Sequence, residues 1–313
     1  MAFDRLAGDV RWSYDIREDG DQSYFHGDFY LTDQLVLTAS DGQGFGTVYA
    51  FEQKTGAVRW SHSEQENIPS TVFPGGENVY VITQPDQVVA LALASGSVRW
   101  NFRTQGDRIG RTRLISSPVV DEERVYVSGR DGILYALDAA TGIVEWQFDF
   151  QTPAITSPAM LRGDLYVGTG AGRIVRVDAA TGTVDAEAEI GSSVYLEYGL
   201  SVNDDGVFVY SGIAPGTSVP AELTVFGPSL SEVYWRRENE QGWSTPRAYS
   251  WNEHVVAGDV AGNIYLYRPS DGSVVRSFRI DGEPRGIGGE GHMLYIGTLN
   301  GMLYAYEMGN GSD

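Results

Sequence analysis

"ALDAATGIVEW" runs from Ala136 to Trp146, and eroded copies of it recur along most of the chain. Aligned on it are "AFEQKTGAVRW" (50–60), "ALALASGSVRW" (90–100), "RVDAATGTVDA" (176–186) and "LYRPSDGSVVR" (266–276), with a degenerate copy ending in "SEVYW" at 231–235. The copies lie 40 to 49 residues apart, a period that belongs to solenoids and propellers. Upstream of each glycine turn sits a run that alternates like a strand: "NVYVIT" (78–83), "RVYVSG" (124–129), "DLYVGT" (164–169) and "MLYIGT" (293–298). Tight turns such as Asp131-Gly132 and Asn300-Gly301 follow it; Asn and Gly accept the positive φ that two-residue hairpins need. A shorter run precedes each unit, as in "LISSPVV" (114–120) and "AITSPAM" (154–160). No helical period occurs. The unit is four antiparallel strands, A to D, and four-stranded units repeated radially make a β-propeller.

The last copy, "AYEMGNG" (305–311), stops before its tryptophan, while "AGDVRW" (7–12) near the start carries the missing half. The tryptophan-strand positions are then 12, 60, 100, 146, 186, 235 and 276. The expectation is an all-β, seven-bladed propeller whose ring is closed by the N-terminal strand completing the last blade. One domain would span 1–313, with blades near 22–63, 66–104, 112–150, 153–190, 193–238, 242–280 and 282–311 plus 8–16.

Residues 136–146 match Ala-x-Asp-x-x-Thr-Gly-x-x-x-Trp at every defined position. The pattern resembles the tryptophan-docking repeat of the PQQ-like, quinoprotein-type propellers, and the resemblance covers essentially the whole chain. In this motif glycine allows the C-to-D turn, Asp138 bonds amides near the turn, and the indole buries a large ring against a neighbouring repeat. Trp12, Trp60, Trp100, Trp146 and Trp235 are therefore read as structural docking residues. Ala186 and Arg276 lack the ring, so weaker docking is expected there. The resemblance implies two branches. Quinoprotein dehydrogenases are longer, mostly eight-bladed, and clamp the quinone with tryptophan, a disulfide and calcium. The other branch is non-enzymatic and includes the scaffold of the outer-membrane β-barrel assembly machinery. This chain has no cysteine and no eighth blade, which places it nearer the second branch.

Composition narrows the function further. Asp plus Glu number 42 against 22 Lys plus Arg, a net charge of −20, and Lys54 is the one lysine. Such a chain repels itself in dilute buffer; at molar salt the Debye length falls to about 3 Å. This balance resembles the proteins of salt-in halophilic archaea. A surface so acidic disfavours sequence-independent nucleic-acid binding. No run of apolar residues is long enough for a transmembrane helix. "MAFDRLAGDV" lacks a basic segment followed by an apolar one, so the expected location is cytoplasmic as written, or the cell surface or exterior if a signal has been trimmed. A monomer is expected.

Candidate sites are few. The four histidines, at 26, 62, 254 and 292, show no metal-ligand spacing, and "EDGDQ" (18–22) and "NDDG" (203–206) lack EF-hand spacing, so no metal is expected. One A-strand register reads His26, Ser70, Ser116, Thr156, Tyr198, Ser244, Arg285, all polar. The next reads Gly27, Thr71, Ser117, Ser157, Gly199, Thr245, Gly286, all small, as close approach near an axis requires. The polar register either rings a channel mouth or bonds neighbouring blades. Long connections are expected at 39–47, 211–222, 101–113 and 236–243. Arg103, Arg108, Arg111 and Arg113 form the one basic cluster, suited to an anionic ligand or acidic partner. The reading is a non-catalytic module that binds or scaffolds another protein, without cofactor. The alternative is a small-molecule or quinone-binding protein, or a PQQ-dependent oxidoreductase, using His26, Tyr198, Trp243 and Arg285.

Overall fold

The computed structural model describes residues 1–4, 7–19, 24–25, 28–42, 44–84, 87–105, 116–129, 131–154, 156–190, 200–211, 221–244 and 248–307. They are strands and turns apart from one 3-10 turn at Ile16–Asp19. Among them no helix is long and apolar enough to cross a membrane. The chain divides into two compact units, Met1–Pro158 and Ala159–Asp313.

Besides an N-terminal hairpin, the first unit holds three larger sheets. In the first, Tyr24–Phe25 and Tyr30–Leu31 both pair with Leu35–Asp41, followed by Gly46–Glu52 and Val58–Glu64. The second runs Phe73–Gly75, Asn78–Thr83, Gln87–Ala92, Val98–Arg103, and the third Val119–Val120, Arg124–Ser128, Ile133–Asp138, Val144–Asp149. The second unit holds four more. They begin at Ala159–Leu161, Leu200–Asn203, Tyr249–Trp251 and Pro284–Glu290, and each runs outward in chain order. These meander sheets are the seven blades of an antiparallel β-propeller.

The middle strands of the first six sheets are largely covered on both faces. Leu35–Asp41 is buried throughout, and Val79, Tyr80, Val81, Ala90 and Leu91 are fully buried. Outer strands alternate, as in Val144–Asp149 and Val184–Glu189.

A one-residue register shift recurs in six C–D hairpins, at Ala50/Phe51, Ala90/Leu91, Ala136/Leu137, Arg176/Val177, Val225/Phe226 and Leu266/Tyr267. Without it, Val58 and Trp60 would share a face. With it, Val58 is 39% exposed and Trp60 only 8%. The bulge turns the indole inward while the valine stays outside.

The described residues of the seventh sheet form three strands, Pro284–Glu290, Met293–Thr298 and Leu303–Glu307. Val10–Trp12 pairs with Ala2–Phe3 in an antiparallel hairpin. Asp4 ties that hairpin by accepting from the Ala7 amide (2.9 Å) and from Arg11 (2.6 Å). The long connection at 39–47 is mostly strand, since Asp41 pairs with Gly46. The first half of the one at 236–243 is strand, because the outer strand runs to Asn239.

Candidate functional site

Four tryptophans repeat one geometry. Trp12, Trp60, Trp100 and Trp235 donate Nε1–H to the carbonyls of Gln53 (3.0 Å), Leu93 (2.8 Å), Ala139 (3.0 Å) and Pro269 (2.7 Å) in the following repeat's turn. Each ring lies on that turn's glycine. A Cβ on Gly56, Gly96, Gly142 or Gly272 would fall 2.4–2.6 Å from the indole. Gly142 is thus required twice, by its φ of +73° and by the ring above it. Asp138 shapes the same turn: its carboxylate accepts from the Thr141 amide and hydroxyl at 2.7 and 2.6 Å. Those bonds hold its pKa below the ordinary aspartate value. Trp146 packs on Tyr126, with ring centroids 5.9 Å apart. These side chains are the joints of the fold.

Of the polar register, Ser70 both accepts from the Ile82 amide (2.8 Å) and donates to the Ile82 carbonyl (3.2 Å). Ser116 bonds Ser128 at 3.1 Å, and Ser128 donates to the Thr156 carbonyl at 2.8 Å. Ser244 bonds the Gly258 carbonyl through its amide (3.0 Å) and its hydroxyl (3.3 Å). Arg285 pairs with Glu283 at 3.1 Å. His26 and Tyr198 lie outside the described residues.

The neighbouring register is more than small. The Asp28 amide donates to Thr71 Oγ1 (3.2 Å), the Thr71 amide to Ser117 Oγ (2.9 Å), and the Ser117 amide to Ser157 Oγ (2.7 Å). Each hydroxyl satisfies the backbone of the preceding repeat. This explains why the innermost strands are short: amides that a ladder would use are spent on the next repeat.

Trp243 is 3% exposed, stacks on Tyr210 at 5.5 Å and meets Tyr265 edge-on at 5.9 Å. Arg103 binds Glu66 (3.4 Å) and Gln87 (3.1 Å); Arg108, Arg111 and Arg113 lie outside the described residues. Two buried carboxylates escaped the sequence reading. Asp131 accepts from the Gln105 and Ile133 amides and the Tyr135 hydroxyl. Asp259 accepts from the Ala261 and Asn263 amides and the Tyr265 hydroxyl. Burial, with Asp259's hydrogen bond, raises the Tyr265 pKa. The shared signal was an Asp four to six residues before a strand tyrosine. Asp164, Asp178 and Asp185 lie together in the fourth sheet, with Arg176 Nε 3.8 Å from Asp164.

An apolar hollow of about 240 Å³ opens in the first unit, where the N-terminal hairpin meets the first sheet. Trp12, Tyr14, Phe25, Phe29 and Phe51 supply aromatic walls.

Residues 44–211 match the family described as outer membrane protein assembly factor BamB. The chain belongs to that family. Among curated BamB proteins, that of Yersinia pestis is 24% identical over 254 residues, covering 72% of this chain and 62% of that protein. The serine/threonine-protein kinase AfsK of Streptomyces griseus is 28% identical over 129 residues, covering 37% of this chain and 16% of the kinase. The chain thus spans less than two thirds of either relative. The crystal structure of BamB from Moraxella catarrhalis superposes with a TM-score of 0.78 at 19% identity, covering 97% of this chain and 89% of that one. The computationally designed Ika8 protein reaches 0.76 at 16% identity, covering 98% and 89%.

The PQQ-like repeat raises the question of a quinone. The described residues offered for one do not fit it. Trp243 is enclosed by Tyr210 and Tyr265 and has no face open for stacking. Arg285 is already bound to Glu283.

Proposed function

We propose that the chain is a non-catalytic scaffold that binds another protein, as the family description suggests. The observation that carries this reading is the occupation of the inner registers. Hydroxyls that could have lined a reactive site, from Ser70 to Ser244, are bonded to the fold itself. The rigid frame they build leaves recognition to exposed surfaces. The quinone-dependent alternative lacks an open aromatic plate and a free anion-binding base among its described candidates.

Titration with PQQ, with and without calcium, separates the two readings. Absorbance and tryptophan fluorescence are expected to show no saturable binding at micromolar quinone. Saturable binding that is lost in Arg285→Ala would overturn the scaffold reading. Reciprocal capture supplies the positive arm: the chain retains a protein partner, and that partner retains the chain, at the salt concentration of the source cells.

A further inference from the structure

In each C–D hairpin one cross-strand pair decides what the joint can hold. Ala2 lies opposite Trp12, Ala50 opposite Trp60, Ala90 opposite Trp100 and Ala136 opposite Trp146. Val225 lies opposite Trp235. Where the ring is missing the opposing residue is larger: Arg176 faces Ala186 and Leu266 faces Arg276. Directly opposed residues share one face of a sheet, so a small residue there leaves room for the indole. In the second and third sheets strand B completes the seat. Tyr80 and Tyr126 pair with Ala90 and Ala136, and their rings lie 5.7 and 5.9 Å from the indoles.

The seventh sheet has this seat with no ring in it. "MLYAYE" (302–307) follows "ILYALD" (133–138) position by position, and Ala305 pairs with Tyr295 as Ala136 does with Tyr126. Among the described residues no strand pairs with the outer edge of Leu303–Glu307. Ile133 and Leu134 are 2% and 0% exposed, whereas Met302 and Leu303 are both 50% exposed and Ala305 is exposed as well. On Ala305's face, a Cβ on Gly286, Gly288 or Gly297 would meet nothing within 4 Å. The Tyr295 hydroxyl has no hydrogen-bond partner among the described residues, whereas Tyr80 and Tyr166 donate to the following repeat's turn. The opposite face is closed: Tyr304 and Tyr306 pack with Ile287, Leu294 and Ile296 against the sixth sheet.

The chain has no tryptophan left for this seat. Of its seven, five stand opposite Ala2, Ala50, Ala90, Ala136 and Val225. Trp243 stacks on Tyr210, and Trp251 packs in the core shared by the sixth and seventh sheets; they are 3% and 7% exposed. A second copy would have the same seven, placed in the same way.

We propose that the outer edge of the seventh sheet receives an extended strand of the partner protein, with a tryptophan opposite Ala305. The inference rests on the scaffold reading and says how the partner is held. Main-chain hydrogen bonds along an open edge supply affinity, and alternate side chains supply specificity. The outer strands of the second and third sheets show the pattern that fits: Val98, Trp100, Phe102 and Val144, Trp146, Phe148. Leu303 takes the phenylalanine, as Val88 takes Phe102 and Leu134 takes Phe148.

The test titrates the full chain with a dye-labelled peptide copying residues 97–103, Ser-Val-Arg-Trp-Asn-Phe-Arg, and with the same peptide carrying alanine for tryptophan. Fluorescence anisotropy is expected to show saturable binding of the first and binding several-fold weaker of the second. Ala305→Arg installs the side chain that the fourth sheet uses where it lacks the ring. It is expected to weaken the tryptophan peptide several-fold at an unchanged melting temperature, because Ala305 is exposed. Leu303→Asp, opposite the phenylalanine, is expected to act likewise. Equal affinity for the two peptides, or saturation by neither, would overturn the proposal, as would binding untouched by both variants. A dimer of the free chain that the peptide dissociates, read by sedimentation, would give the edge to a second copy and overturn the partner assignment. A protein partner captured equally by the parent and by Ala305→Arg would overturn the edge while leaving the scaffold reading in place.

Discussion

The second and fourth sheets solve one problem in different ways. In the second, Trp100 covers Gly142 and donates to the Ala139 carbonyl, which Tyr80 reaches as well at 2.9 Å. In the fourth, Ala186 stands where the indole would be. The corresponding carbonyl, Pro228, receives the Tyr166 hydroxyl at 2.7 Å and Arg176 Nη1 at 3.5 Å. The weaker docking expected of Ala186 is therefore made good in hydrogen bonds but not in buried ring area. What each joint requires is a donor for the next turn's carbonyl. The tryptophan supplies that donor together with a surface.

This contrast can be broken at its strongest point first. Trp100→Ala removes ring and donor together and is expected to cost about 3–5 kcal/mol, read as a lower denaturation midpoint. Gly142→Ala forces a Cβ into the indole at a positive φ and is expected to cost about 1–3 kcal/mol. The double variant is expected to lose less than the sum, since both changes break one contact; strict additivity would refute the seat.

Tyrosine substitutions sharpen it. Tyr166→Phe removes the shortest bond to Pro228 and is expected to cost about 1 kcal/mol. Tyr80→Phe is expected to cost less, because Trp100 and Asn78 still donate to Ala139. Equal losses in chemical denaturation would show that the fourth sheet depends no more on its tyrosine than the second does.

The smallest effect is electrostatic. Asp164 has its pKa raised by burial first, opposed by Arg176, with Asp185 and Asp178 adding to the rise. A carboxyl raised on folding binds more protons in the native state, so stability falls as pH rises through the window above the ordinary aspartate value. Asp164→Asn is expected to raise the neutral-pH melting temperature slightly and to flatten that slope. Molar salt is expected to narrow the gap between variant and parent. Asp138 has the opposite sign: its pKa is lowered by Thr141, so its contribution is lost on acidification.

Much of this was legible in sequence. Strand period, glycine turn and the docking role of Trp60 or Trp235 are local patterns. The bulge beside each tryptophan was not, because register is a property of two strands. The relay through Thr71, Ser117 and Ser157 was read only as smallness; its partners lie some forty residues apart. Asp41 and Gly46 looked like loop punctuation, yet they pair across a hairpin. Trp243 looked like an open platform because burial cannot be read from an aromatic letter. The hollow draws its rings from three separate segments between Trp12 and Phe51, which no motif announces.

The relay has one more consequence. Thr71 and Ser117 each give one amide forward and offer one hydroxyl backward, Thr71 to Ser117 and Asp28, Ser117 to Ser157 and Thr71. The linkage is polar, like a chain of identical couplings. A repeat of the Thr71 or Ser117 kind, copied in tandem, carries both halves of its coupling with it, and it fits beside a like neighbour without a compensating change. Growth of the array by gene duplication is built into the chemistry of a single hydroxyl.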